Sequence, residues 1–176
     1  NEKPFIEGVC LDELTKTIET PFYIYSQKSI TDAYDKLKNS FNAKIFFSVK
    51  ANSNQAIISL MKSLGVGADV VSAGELERVL RAGISPNKII YEGVGKSMND
   101  IEYAVHSNIR QINIESMEEL NMINAIGRRL NKKIFIGVRL NPDIDSQSHD
   151  KISTGRKTDK FGINFNLLPD LCSEIK

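Results

Sequence analysis

The stretch Ala43–Glu75, AKIFFSVKANSNQAIISLMKSLGVGADVVSAGE, decides the fold. Ala43–Val49 is a largely apolar, aromatic and β-branched run of strand length, bounded by polar residues. After Ala51–Gln55, Ile57, Leu60, Met61 and Leu64 follow the i, i+3, i+4, i+7 spacing that puts one apolar stripe on a helix. A second buried-strand run, Ala68–Val71, comes next. It gives way at Ser72 to an S-x-x-E capping box closed by Glu75, the signature of another helix start. Strand, helix, strand, helix with no hairpin signal between them predicts parallel strands joined by helical crossovers.

The same rhythm continues downstream. Strand-like runs recur at Lys88–Tyr91, Gln111–Ile114 and Lys133–Leu140. Leu76, Val79 and Leu80, then Met98, Ile101 and Val105, carry helical spacing between them. Ser116–Glu119 repeats the capping box, Ser97–Asp100 is a weaker version, and Gly83 reads as a helix C-cap. Upstream, Pro21–Tyr25 predicts one more strand, and Ile30, Ala33, Tyr34, Leu37 and Phe41 one more helix. Asn166–Ile175 predicts a last helix with Asn166 as N-cap and Pro169 in its first turn.

The class is therefore α/β, and two architectures compete within it. A doubly wound sheet lacks its fingerprint here, because no G-x-G-x-x-G or Walker A word follows any strand, and Gly93-Val94-Gly95-Lys96 is too sparse to cradle a phosphate. A (β/α)8 barrel takes about 250 residues and eight units. About five units are present, so the expectation on that reading is a partial barrel.

Composition narrows the function. The 176 residues, 41% apolar and 26% charged, suffice for one core. Lys and Arg (23) nearly balance Asp and Glu (22), which gives no general attraction to nucleic acid or to an anionic membrane surface. No apolar stretch approaches the roughly 20 residues of a membrane span. Cys10 and Cys172 are far apart, and His106 and His149 have no ligand spacing, so neither a disulfide framework nor a zinc site is expected. No secretory signal is visible in the sequence as given.

In both architectures chemistry belongs at the carboxyl ends of the strands, where Lys50, Asp69–Ser72, Gly93, Glu115 and Arg139–Asn141 stand. Lys50 directly follows Ile45–Val49. A lysine at an apolar rim can have its ammonium form disfavoured, and a neutral amine is what carbonyl chemistry requires. On position alone Lys50 also reads as a strand-terminal lysine reaching solvent.

The word Phe47-Ser48-Val49-Lys50-Ala51-Asn52 resembles the Y-A-V-K-A-N segment of the alanine-racemase-like, fold type III pyridoxal-phosphate enzymes. Thr20–Tyr25 resembles the T-P-x-Y-V-Y strand of that family's decarboxylases, Asp69–Leu76 their D-V-V-S-x-G-E-L turn, and Gly137–Pro142 their R-x-N-P strand end. His149–Gly155, shortly before Lys160-Phe161-Gly162-Ile163, resembles the diaminopimelate branch more than the ornithine or arginine branches or the racemases. Two departures stand out: Ser48 where alanine is commoner, and Gly93–Ser97 where N-K-S or a similar triplet is usual.

The resemblance implies an amino-terminal portion of such an enzyme. Residues 1–27 would form an opening segment with a strand belonging to a β-domain, and residues 28–176 the first part of the cofactor-binding barrel. It implies pyridoxal 5'-phosphate held as a Schiff base on Lys50, with Asp69 and Arg139 near the cofactor and Ser72 and His149 as weaker substrate or lid residues. It further implies decarboxylation of meso-2,6-diaminopimelate to L-lysine and CO2, the last step of lysine biosynthesis, by a homodimer with an active site at the subunit interface. A related ornithine, arginine or carboxynorspermidine decarboxylase, a pyridoxal-phosphate-binding protein without turnover, or an inactive fragment are the alternatives.

Each residue also has a plainer reading. Ser72 serves equally as an N-cap for Glu75, and Arg139 as an ordinary ion-pair partner. His149 lies in the polar segment Asp143–Asp159, long for a βα connection, and His106 would cap carbonyls at a helix end.

Overall fold

The structure is a computed structural model that describes residues 3–142, 144 and 161–175. It divides into two compact units, 1–45 and 46–176.

In the first unit, β1 (Phe5–Ile6) and β2 (Val9–Cys10) form an antiparallel hairpin. Glu7 and Gly8 between them both take positive φ, +50° and +80°, the requirement of the two-residue turn that matches strand twist. A short helix α1 (Leu11–Leu14) follows, and then α2 (Gln27–Ser40). The Ser26 hydroxyl opens α2 by accepting from Ser29 N–H, while its own proton goes to the Glu7 carboxylate. Glu7 also accepts from Lys28 N–H at 2.7 Å. These donors, Ser26 first, hold the Glu7 carboxyl below its ordinary value.

Pro21–Tyr25 belongs to none of the strands among the described residues. The division between the units follows Ile45, and α2 buries no residue of its own.

The second unit carries the predicted rhythm. Its elements are β3 (Phe46–Ser48), α3 (Gln55–Ser63), β4 (Gly67–Val70), α4 (Ala73–Arg81), β5 (Ile89–Tyr91), α5 (Met98–His106), β6 (Gln111–Ile114), α6 (Met117–Leu130) and β7 (Ile136–Val138). The five strands form one parallel sheet in the order β3-β4-β5-β6-β7, so each strand lies beside the next one in sequence. Consecutive parallel neighbours joined by helices are the arrangement of a partial βα barrel.

Beyond β7, β8 (Leu140–Asn141) pairs in parallel with β9 (Ile163–Asn164), and α7 (Leu168–Glu174) is the last helix among the described residues. The last helix starts differently from the expectation. The Asn164 side chain, not that of Asn166, accepts the capping bond, from Asn166 N–H, and opens a 3₁₀ turn at Phe165–Leu167. Pro169 then falls in the first turn of α7, where it sacrifices no helical bond.

Local chemistry explains where the helices stop and start. Gly83 (φ +81°) follows α4, its N–H donating to Leu80 O and that of Ile84 to Val79 O. This pair satisfies carbonyls that would otherwise end unbonded. The three predicted capping boxes resolve into two kinds. At Ser97–Asp100 the exchange is reciprocal. At Ser72 and Ser116 the serine accepts from the N3 N–H, but the glutamate reaches past the cap: Glu75 to Val71 N–H and Glu119 to Glu115 N–H.

The core lies between sheet and helices. Ala68, Val70, Ile89, Tyr91, Ile112 and Ile114 from alternate strand positions are buried against Ile58, Leu76, Val79, Ile101, Leu120 and Ile126 from the helices. Among the described residues no helix is long and apolar enough to cross a membrane.

Candidate active site

Because strand side chains alternate, the face of the sheet opposite the helices is set by the remaining positions. They are Phe46 and Ser48 on β3, Gly67 and Asp69 on β4, Ile90 on β5, Gln111 and Asn113 on β6, and Gly137 on β7, continued past the strand ends by Glu92 and Arg139. A barrel interior is ordinarily packed with branched apolar side chains. Here Ser48, Asp69, Gln111 and Asn113 put hydrogen-bonded polar groups on that face toward the strand ends.

Two networks occupy that face. Ser48 Oγ donates to Asp69 Oδ2 at 2.9 Å across the β3–β4 ladder, where the two residues are register partners. Gln111 Nε2 donates to Asn113 Oδ1 at 2.6 Å, and Asn113 Nδ2 donates to the Glu92 carboxylate. Gly137 makes room for the second network, since a Cβ there would stand 2.1 Å from Asn113 Oδ1.

Asp69 Oδ1 is withdrawn from solvent and accepts no hydrogen bond among the described residues. A buried acceptor left without a donor costs about 1–3 kcal/mol. A bound group that brings a cationic or N–H donor to this oxygen relieves that cost.

Lys50 leaves β3 two residues beyond Ser48, in the 3₁₀ turn Val49–Ala51, with its side chain exposed while Val49 is buried. Its amine is thus free of the core at the carboxyl end of the strand whose Ser48 holds Asp69.

Arg139 follows β7. Its guanidinium lies 3.3 Å from Glu115 Oε1 and stacks over the Phe161 ring, 4.9 Å from the centroid. Glu115 is almost wholly buried, and its other oxygen accepts from Gly162 N–H at 3.2 Å. Beneath it lies a buried ion pair, Lys96 Nζ to Glu119 Oε2 at 2.9 Å, with Glu119 Oε2 also accepting from Glu115 N–H.

The predicted residues therefore separate. Asp69 meets Ser48, and Arg139 meets Glu115 in the ion pair of its plainer reading. Ser72 caps α4. His149 lies outside the described residues. His106 Nε2 approaches Glu102 Oε1 at 3.5 Å on an exposed face. Ser48 as a partner, the Gln111–Asn113–Glu92 chain, the bonds of Glu115 to Arg139 and Gly162, and the Lys96–Glu119 pair escaped sequence reasoning. Polar residues at alternate positions of half-apolar strands, Gln111 and Asn113 above all, were the available signal.

A parallel βα sheet with a polar inner layer, an orphaned carboxylate oxygen and a free lysine at the strand ends defines a cofactor-binding domain of the barrel type. Comparison with known proteins makes this specific: the pyridoxal binding domain of the pyridoxal-dependent decarboxylases matches residues 27–175, and the chain belongs to that family. Its cofactor is pyridoxal 5'-phosphate, and the Asp69 oxygen and the lysine at the strand end suit it.

The chain is similar to diaminopimelate decarboxylase of Aquifex aeolicus, 44% identical over 91% of this chain and 38% of that protein. It is 46% identical to the Helicobacter pylori strain J99 diaminopimelate decarboxylase over 86% of this chain and 38% of that one. A crystal structure of the Helicobacter pylori enzyme complexed with L-lysine superposes with a TM-score of 0.88 at 43% identity, covering 92% of this chain and 42% of that chain. The Paramecium bursaria Chlorella virus arginine decarboxylase, at 23% identity and a TM-score of 0.80, shares the fold. The chain thus spans about two-fifths of the length of the curated relatives it matches.

Proposed function

We propose that the complete protein decarboxylates meso-2,6-diaminopimelate to L-lysine and CO2, with Lys50 as the residue that holds the cofactor covalently. The observation that carries this reading is an exposed lysine two residues beyond Ser48 at the end of β3, together with the carboxylate bonded to that serine, whose Oδ1 has no donor among the described residues. Pyridoxal phosphate, when bound, supplies an aldehyde that condenses with amines and a ring that takes up the electron pair left behind as CO2 departs.

The chain's own residues have narrower tasks. Lys50, free of the core, presents at the strand end the amine that would hold the cofactor and that an incoming substrate amine would displace. Asp69, held by Ser48, would offer its free Oδ1 to a cationic nitrogen of the bound cofactor. Arg139, held by Glu115, fixes a positive charge at the end of β7. Ser72 caps α4 and brings the turn after β4 to the same rim, and His149 is assigned to substrate closure.

Diaminopimelate is favoured over ornithine or arginine because relatives named for it reach 44–46% identity, against 23% for the arginine decarboxylase. In this reading residues 28–176 begin an eight-stranded barrel that the rest of the chain closes. The opening segment, Pro21–Tyr25 included, lends a strand to a second domain. Two subunits build the site, and the enzyme works in the cytoplasm.

Borohydride reduction of the complete protein with pyridoxal phosphate tests the lysine: the trapped adduct maps to Lys50 and is absent from Lys50→Ala. An adduct on another lysine overturns the assignment. Turnover of meso-diaminopimelate measured beside ornithine and arginine tests the substrate, and faster CO2 release from either of those overturns it.

A further inference from the structure

We propose that Ser48 is a positioning residue for the Lys50 linkage: its hydroxyl pins one oxygen of Asp69 so that the other is the sole aimed acceptor for the positive charge at the lysine nitrogen. The proposal rests on the reading of Lys50 given above.

A carboxylate offers two oxygens and about four lone-pair directions, and its terminal torsion is soft and twofold, so an aspartate on an open face has several orientations to choose from. Asp69 does not have that choice. Ser48 and Asp69 are register partners in the β3–β4 ladder, so both backbones are fixed by the sheet, and the single hydroxyl proton goes to Oδ2 at 2.9 Å. Oδ1, shielded from water and with no donor among the described residues, keeps its full acceptor capacity.

The other ionisable groups of this face are already engaged or lie elsewhere along it. Glu92, past β5, accepts from Asn113 Nδ2, and Arg139, past β7, pairs with Glu115. Ile90, the β5 register partner of Asp69, carries no charge. Lys50, the cation nearest in sequence to Ser48, leaves the same strand end. A serine that merely satisfied a buried oxygen would affect stability. One that aims the free oxygen sets the proton affinity of the linkage.

The test uses the complete protein loaded with pyridoxal phosphate and follows the visible Schiff-base absorbance of Lys50 against pH. Ser48→Ala frees the carboxylate and is expected to lower the proton affinity of the linkage about tenfold, a shift of about one pH unit. Ser48→Thr, which keeps the donor, titrates like the wild type. Ser48→Cys, which keeps the volume but donates weakly, follows Ser48→Ala. In an Asp69→Asn background Ser48→Ala produces no further shift, because the hydroxyl acts only through that carboxylate. A Ser48→Ala curve that overlays the wild type or moves the other way, or an undiminished shift in the Asp69→Asn background, overturns the proposal while leaving Lys50 in place. Failure of borohydride to trap the cofactor on Lys50 is a separate result that overturns the underlying reading and this proposal with it.

Discussion

Lys96 and Glu119 form an ion pair, Nζ to Oε2 at 2.9 Å, with their side chains only 2% and 5% exposed. Lys96 lies in the loop after β5, Glu119 in the first turn of α6, and the pair ties the rims of two successive βα units together. Lys96 also donates to Gly93 O at 2.5 Å, and Glu119 accepts from the N–H groups of Lys96 and Glu115. Burying two charges is repaid only when every donor and acceptor is used, and breaking such a pair leaves one charge stranded at a cost of about 3–5 kcal/mol. Glu119→Gln is expected to lower stability by about that much, and Lys96→Met by less, because Glu119 keeps two backbone donors. Denaturant midpoints of the two variants check the order; equal and small losses would show that the pair carries no such weight.

Glu115 connects two parts of the chain far apart in sequence, holding Arg139 by one oxygen and Gly162 N–H by the other. Gly162 (φ +78°) also lies against the backbone at Arg139–Asn141, where an added Cβ would meet three atoms at 3.0 Å. Glu115→Gln keeps the size of the side chain but loses the charge that holds the guanidinium. The expected result is faster amide exchange at Gly162 and Ile163, together with weaker cofactor binding by roughly tenfold, the loss of about 1.4 kcal/mol expected for a charge-assisted contact. Unchanged exchange and cofactor affinity would reduce Glu115 to an ordinary buried acid.

The two glycines on the inner face are predicted to differ in tolerance. At Gly67 a Cβ would meet the Phe46 ring at 2.6 Å and Lys88 O at 2.7 Å, and the latter is backbone in the neighbouring segment. At Gly137 the nearest atoms are the side chains of Asn113 and Gln111, at 2.1 and 2.5 Å. Overpacking costs about 1–3 kcal/mol when neighbours can shift. Gly67→Ala should therefore exceed that range, while Gly137→Ala stays near it and breaks the Gln111–Asn113 contact instead. Thermal unfolding of both variants gives the comparison, and a milder effect at Gly67 would reverse it.

The parallel sheet was readable because strands buried against helices appear as apolar runs at even intervals, and Phe46–Ser48, Gly67–Val70, Ile89–Tyr91 and Gln111–Ile114 fall within or beside those runs. Lys133–Leu140 overstated its strand. Pairing with β6 covers only Ile136–Val138, after which Arg139 turns to Glu115 and the chain re-pairs with Ile163–Asn164. Pro21–Tyr25 shows the limit of composition: a β-like run names no neighbour, whereas Phe5–Ile6 and Val9–Cys10, too short to show a period, pair through a turn. At the site, Lys50 and Asp69 stand in recognisable words. Ser48–Asp69, Lys96–Glu119 and Glu115–Arg139 join residues 21, 23 and 24 apart, one βα unit each. Those partnerships depend on strand register, which local sequence does not carry.

Tyr91 gives the last prediction. Its side chain is buried in the core beside Lys96, and burial, with the negative charges of Asp100 and Glu75 and a hydrogen bond to Asp100, pushes its phenol far above the ordinary value of 10.0. Below 10.0 the phenol is neutral in both folded and unfolded chains and its contribution is fully present. Above that value the unfolded chain releases the proton while the folded one retains it, so stability falls as the pH rises toward the folded-state value. Tyr91→Phe removes the titrating group, and its melting temperature should decline less than that of the wild type across this alkaline window, whatever its offset at neutral pH. Parallel declines in the two proteins would assign the alkaline loss to other groups.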